Sequence, residues 1–458
     1  MTRFSANSAH ARDIASVLHP QTHAGRHQEV GPTVMSHGDG IFIHDDEGHA
    51  YLDAGAGLWC ASLGFSNQRL AKVAADAMSR LGYYQIFRHA SHGPAIDLSE
   101  KLLSLAPVPM SKVMLQCSGS EANDSAVKLV WYHWHIQGKP EKHKIISRRG
   151  SYHGSTCVAT SLTARPEYQA GFGLPFDGFL YAESLNYYRD AQPGESEQQF
   201  SQRLADSLEA QILREGPDTV AAFWCDPVQG SAGALPPPAG YFEKIQTVLR
   251  KYDILLVADE VICGFGRTGN MWGCQTYDIR PDMITCAKAL SAAMQPISAV
   301  LLNERIFQSV VQSSEKYGAF IHGYTYAGHP VAASVALETL KIYEEIDIVG
   351  HVRSVEPVFL QTLGTLKDHP LVGDFSGVGL IGGLELVSDK ATRESYPASV
   401  GLGARLDAHA RRNRLILRIA GNRIAFSPAL IITAEQIAEL GVRLRRTLDD
   451  TYREIQAL

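Results

Sequence analysis

Two short apolar runs constrain this chain more than any other part of it. Residues 254–269 read ILLVADEVICGFGRTG, and residues 282–290 read DMITCAKAL. Continuous apolar runs of this length predict buried strands of a parallel sheet. The first strand, 254–258, ends in two acids, Asp259 and Glu260. The second, 283–286, delivers a lone lysine, Lys288, at its carboxyl end. In open α/β sheets, ligands bind at the carboxyl ends of the strands. An acid and an amine brought to one sheet edge form either a reactive pair or a structural ion pair, and the two runs alone leave both readings open.

With 458 residues the chain is expected to form two or three domains. Its 45% apolar and 20% charged residues are ordinary for a soluble globular protein. A formal charge of -6 without a long basic run argues against nucleic acid as a partner. No apolar run approaches the roughly 18 residues of a membrane helix, so no membrane partner is expected. The start, MTRFSANSAHARDIAS, lacks the apolar segment of a secretory signal. Its Arg, Ser and Ala content would suit a short transit peptide, against which Asp13 counts, and a cytoplasmic location is expected. Cys60, Cys117, Cys157, Cys225, Cys263, Cys274 and Cys286 are odd in number and contain no CxxC pair. They read as reduced thiols. His133 and His135 flank Trp134, with His143 beyond. Without a Cys or carboxylate at ligand spacing they read as surface or packing residues, and no metal is expected.

From residue 97 onward, helices and strands alternate, which predicts a mainly parallel sheet. Helix 97–105, strand 113–116, a helix opening at SGSEAND, strand 144–147, helix 197–214, strand 220–224 and helix 241–251 precede the two opening strands. Strand 297–302 follows them. Residues 163–197 read as a long irregular region, as do residues 1–35. Residues 40–44 and 49–53 alternate as strands about the turn Asp46-Glu47-Gly48, and 68–81 has helical periodicity. GYYQIFRHASHGPA suits a loop lining a pocket. After His329-Pro330 come helix 332–348, strand-like runs at 377–386 and 415–419, and a closing helix at 434–458. The expected class is α/β. Residues 86–335 would form a large domain with a mainly parallel central sheet, and residues 1–85 and 336–458 a smaller α+β domain built from both termini.

Several motifs carry two readings each. Ser118-Gly119-Ser120-Glu121 is a capping-box pattern between strand and helix, hence a bare helix start or an anion site. Residues 264–269 match GxGxxG, but a dinucleotide fingerprint needs a helix at its last glycine. Asn270-Met271-Trp272-Gly273 has no helical period, so the stretch reads as a tight loop. Lys288 in its apolar setting either pairs or snorkels, or is an imine-forming amine whose pKa falls from about 10.4. Tyr152 is core or a stacking platform. Arg418 is a structural ion-pair partner or a bidentate carboxylate binder.

In this order and spacing, YLDAGAGLWC, SGSEAND, SYHGST, DPVQGSAGALPPPAGY, ADEVICGFGRTG, KAL followed by PISAV, and HGYTYAGHP resemble the class III (ω-) aminotransferases of pyridoxal-phosphate fold type I. The resemblance runs from about Leu18 to Thr433. It implies that pyridoxal 5'-phosphate is held as an imine on Lys288, with Asp259 at its pyridine nitrogen. It also implies Gly119 and Ser120 at the phosphate, Tyr152, with His153 beside it, and Val261 on the two ring faces, and Thr325 reaching the phosphate from a neighbouring subunit. Trp59, Phe87, Arg88, Tyr152, Tyr324 and Arg418 are implied to line the substrate pocket, Arg418 as a mobile carboxylate binder. The activity implied is ping-pong transfer of an amino group from an amine or ω-amino acid to an α-keto acid, with pyruvate favoured, in a homodimer or dimer of dimers with shared sites. A decarboxylase or aminomutase of the same fold is the alternative reading, and an NAD-dependent oxidoreductase a more distant one. Three features depart from the family: Asp226 where Glu is usual, Arg88 where a second aromatic is usual, and Met294-Gln295 in place of a glycine-containing stretch.

Overall fold

The structure is a computed structural model that describes residues 4–458. Its central sheet has seven strands, in the spatial order Lys112–Gln116, Ser298–Leu302, Met283–Cys286, Leu255–Asp259, Val220–Cys225, Lys144–Arg148 and Phe179–Ala182. Both faces are apolar, which is why the strands read as continuous runs. Phe223, Cys225, Leu256, Ala258, Ile284 and Cys286 enter one core, while Ala222, Trp224, Leu255, Val257 and Met283 enter the core on the other side.

One strand departs from the parallel arrangement. Ser298–Leu302 runs antiparallel to both of its neighbours. The connection from Met283–Cys286 is too short for a crossover helix, so the chain must double back. Lys288 sits on that reversal, at the head of the 3-10 turn Lys288–Ser291.

Two four-stranded sheets flank this body. Met35–Asp39, Phe42–Asp45 and Ala50–Asp53 form an antiparallel set, joined in parallel by Leu415–Ile416 through the pairs Leu415↔Leu52 and Ile416↔Asp53. Val372–Val378, Ile381–Leu386, Arg423–Phe426 and Arg418–Ala420 form the other, all antiparallel. The single run expected at 415–419 is therefore two strands in two sheets, divided at Leu417.

The expected elements are corrected in three places. Residues 1–35 contain the helices Ala9–Ser16 and Ala24–Val30. Residues 163–197 contain the edge strand Phe179–Ala182, whose flanking glycines and prolines mask it. The helix after His329 is Pro330–Glu345, and a second helix, Ile348–Gly364, carries Pro357 inside it. Helices Gln68–Leu81 and Tyr241–Lys251 lie where periodicity places them. Gly93–Leu105 starts earlier than expected because the His92 ring caps it, with Pro94 in the first turn.

Candidate active site

Asp259 is the last residue of its strand and is buried. Its Oδ2 accepts from Asn123 Nδ2 at 2.8 Å and pairs with His153 Nδ1 at 2.7 Å, and its Oδ1 accepts the Val261 N–H at 3.0 Å. An ionised carboxylate only accepts, so the His153 ring carries its proton on Nδ1. Asn123 is itself fixed. Its Nδ2 donates to His153 O at 2.7 Å, and its Oδ1 accepts from Thr285 Oγ1 at 2.9 Å and Trp224 Nε1 at 3.3 Å.

Glu260 turns the other way. It accepts the N–H groups of Gly273 and Cys274 at 2.9 and 2.6 Å, capping the turn Gly273–Thr276. Burial pushes its carboxyl up to about 7, against the pull of those two donors.

Lys288 adopts left-handed backbone, with φ 49°. Among the described residues its amine has neither a hydrogen-bond nor an ion-pair partner, so the structural ion pair with Asp259 is not formed. Burial lowers its pKa, the Asp259 charge opposes that shift, and the Arg418 charge adds to it.

Asp259, Lys288 and the start of the helix Gly119–Ile136 face one cavity of about 360 Å³. Ser118 and Glu121 form both halves of a capping box, at 3.2 and 3.1 Å. The N–H groups of Gly119 and Ser120 in the same first turn have no intrahelical acceptor. A β-carbon at Gly119 would lie 3.2 Å from both Val261 methyls. One at Gly154, where φ is 140°, would lie 2.5 Å from Ser120 Oγ, the atom that accepts the Ser155 N–H at 3.0 Å. Tyr152 stands at the wall with its hydroxyl 2.9 Å from Ser155 Oγ. Asp226 also lines the cavity. Its Oδ1 accepts from Arg148 Nη2 at 2.7 Å and Ser151 Oγ at 2.9 Å.

Other expected residues stand apart. Trp59 is buried in a small cluster with Val228, Ala234, Cys263, Ile381 and Ala425. Arg418 is half-buried opposite Ala425, with no hydrogen-bond or ion-pair partner among the described residues. Phe87, Arg88, Tyr324 and Thr325 do not line the cavity of their own chain. Phe87 lies against Gly323, where a β-carbon would meet its ring at 2.8 Å, and Tyr83 donates to Thr325 O at 2.8 Å. Thr325 is exposed. The GFGRTG stretch has no nucleotide-binding helix behind it. Arg267 is buried there and donates to Leu380 O and Pro428 O at 3.0 and 2.5 Å. His133, His135 and His143 meet Ser309, Tyr317 and Glu141 O respectively. Asn123 was not singled out in the sequence, although a poor helix former inside a helix is a signal.

The sequence profile of the family Aminotransferase class-III matches residues 24–448. The chain belongs to the class-III aminotransferases. It is 43% identical over 443 residues to gamma aminobutyrate transaminase 3, chloroplastic, of Solanum lycopersicum, which covers 96% of this chain and 85% of the relative. It is 44% identical over 425 residues to gamma-aminobutyrate transaminase 1, mitochondrial, of Oryza sativa subsp. indica, with 93% and 82% covered. A thermostable six-fold mutant of the ω-transaminase from Pseudomonas jessenii superposes with a TM-score of 0.97 at 48% identity, covering 98% of this chain and 100% of that one. The same bacterial enzyme has been solved in complex with PMP, again with a TM-score of 0.97 and 48% identity, covering 98% and 99%.

This aminotransferase is therefore a pyridoxal-phosphate enzyme of fold type I. The cavity fits that group. It offers an unpartnered amine, a buried and fully engaged carboxylate, and two first-turn N–H groups at a glycine where a β-carbon would crowd the Val261 methyls.

Proposed function

We propose that Lys288 and Asp259 are the catalytic pair of an ω-amino acid:pyruvate aminotransferase. The observation that carries this reading is the convergence of an unpartnered, burial-depressed amine and a clamped carboxylate on one cavity. Bound there, pyridoxal phosphate supplies an electron-withdrawing ring and an aldehyde carbon that takes up and returns the amino group. Asp259 holds a proton at the ring nitrogen, and Asn123 and His153 keep its carboxylate aimed. Gly119 and Ser120 would hold the phosphate at the helix start, with Thr325 of the partner subunit completing that end. Tyr152 and Val261, which both line the cavity, would hold the ring. The Lys288 amine, whose proton affinity burial lowers, would hold the group at its aldehyde carbon and move the proton at the donor's nitrogen-bearing carbon.

Arg418, with no carboxylate partner among the described residues, receives the acid group of the keto acid, and Arg88 favours donors with a distal acid. Trp59, Phe87 and Tyr324 shape the remaining pocket. The plant relatives named for gamma-aminobutyrate support an ω-amino acid donor. Variants of the bacterial neighbour engineered for enantiopure bulky amines carry substitutions at a tryptophan, or at a tryptophan, a phenylalanine and an arginine together, the same residue types as Trp59, Phe87 and Arg418. The exposed Tyr83, Tyr84, Phe87, Ile321 and Tyr326 beside Thr325 support a homodimer with shared sites. Seven free thiols suit a reducing, cytoplasmic setting.

The test is alanine formation from pyruvate with a panel of amines and ω-amino acids. Initial-rate lines should remain parallel as the second substrate is varied. Lys288→Ala should abolish turnover, and Arg418→Ala should weaken keto-acid use far more than use of an apolar amine. Carbon dioxide in place of alanine would favour the decarboxylase alternative.

A further inference from the structure

The N-terminal helix pair lacks a core. Ala9–Ser16 and Ala24–Val30 have eight and seven residues, and neither contains a buried side chain. Isolated helices this short are marginal in water. Few contacts hold them, among them the stacking of Phe4 on His10 at 4.7 Å and a hydrogen bond from Tyr168 to Gln21 at 3.2 Å.

Three side chains converge here instead. Asp13 comes from the first helix, His19 from the connection and His27 from the second helix. Both imidazole Nε2 atoms meet the same carboxylate oxygen, Asp13 Oδ1, at 2.8 and 3.0 Å. The rings lie 4.3 Å apart, tilted by 44°. One ligand atom from each residue falls within 4.8 Å of the others. A tetrahedral zinc ion bound at about 2.0–2.1 Å sets its ligand atoms about 3.3 Å apart, so each imidazole need move only a few tenths of an ångström from the Asp13 oxygen, and the two imidazole nitrogens already lie within 4.8 Å of each other. Two imidazoles and a carboxylate are a donor set for zinc with one open position. A cavity of about 260 Å³, lined by Ser16, Leu18, His19, Thr22, His27 and Gln28, leaves room for water there.

We propose that Asp13, His19 and His27 bind a divalent cation, best suited to zinc, that staples the N-terminal helix pair, with water in the fourth position. The site is separate from the aminotransferase cavity, whose walls include none of these residues. Loss of a direct ligand should weaken binding by more than the roughly 10- to 100-fold that loss of an outer-shell partner costs.

The test uses tag-free, cofactor-loaded enzyme. Zinc uptake is measured by equilibrium dialysis in wild type, in His19→Gln/His27→Gln and in Asp13→Asn. Correct folding of each variant is checked by its bound-cofactor absorbance. Wild type should hold one zinc per chain more than either variant. Zinc should also slow proteolytic cutting within residues 17–23 of wild type only. Equal uptake in all three proteins, or equal cutting rates with and without zinc in wild type, would overturn the site.

Discussion

Asn123 has every polar atom of its side chain engaged at the cavity wall, with Asp259, His153, Thr285 and Trp224 as partners. Removing it leaves two buried donors without acceptors, and an orphaned buried donor costs roughly 1–3 kcal/mol. Asn123→Ala should therefore lower stability by about 2–6 kcal/mol, read from denaturant melts. Adding Thr285→Val removes one orphaned hydroxyl, so the double variant should recover part of that loss. Strict additivity of the two changes would show that the hydroxyl was never orphaned. Asp259 and Lys288 were legible because each breaks an apolar run, and a charge in such a place needs a reason. Asn123 was hidden. Helical spacing shows which face it occupies, but not that it reaches a strand 136 residues later in the chain.

The turn after Asp259 shows how one element directs two adjacent acids to different tasks. Strand alternation points Asp259 and Glu260 to opposite sides, one to the cavity and the other to the backbone of Gly273 and Cys274. Burial raises the Glu260 carboxyl from 4.5 to about 7. A carboxyl raised by folding retains a proton that the unfolded chain has released. Its contribution is therefore fully present below about 4.5 and lost as pH rises through about 7. Across that window wild-type stability should fall by roughly 3 kcal/mol relative to Glu260→Gln, from denaturant midpoints at a series of pH values. Parallel profiles would contradict this. Elements with strong periodicity, such as Gln68–Leu81, were readable locally. The split of 415–420 between two sheets was not, because both halves are apolar and only tertiary pairing separates them.

At the scale of the molecule, the chain closes on itself at two seams. At one, Ala50–Asp53 pairs with Leu415–Ile416, so the first sheet cannot be completed until nearly all the chain is present. At the other, the GFGRTG loop of the body meets the C-terminal sheet through Arg267. Its guanidinium donates to Leu380 O and Pro428 O, the Leu380 N–H returns a bond to Arg267 O at 2.9 Å, and a β-carbon at Gly379 would lie 2.3 Å from that oxygen. No carboxylate pairs with Arg267 among the described residues, and burial draws its pKa down to about 10. Gly379 thus lets its backbone approach the loop that imitates a nucleotide fingerprint, while one buried cation serves two carbonyls. Arg267→Ala strands both carbonyls and should cost about 3 kcal/mol. The loss should also be local. Amide exchange should accelerate at 379–381 and 427–430, on the far side of the seam, while the strand Leu255–Asp259 retains its protection. Uniform acceleration across the sheet would show that Arg267 stabilises the body as a whole and does not tie it to the C-terminal unit.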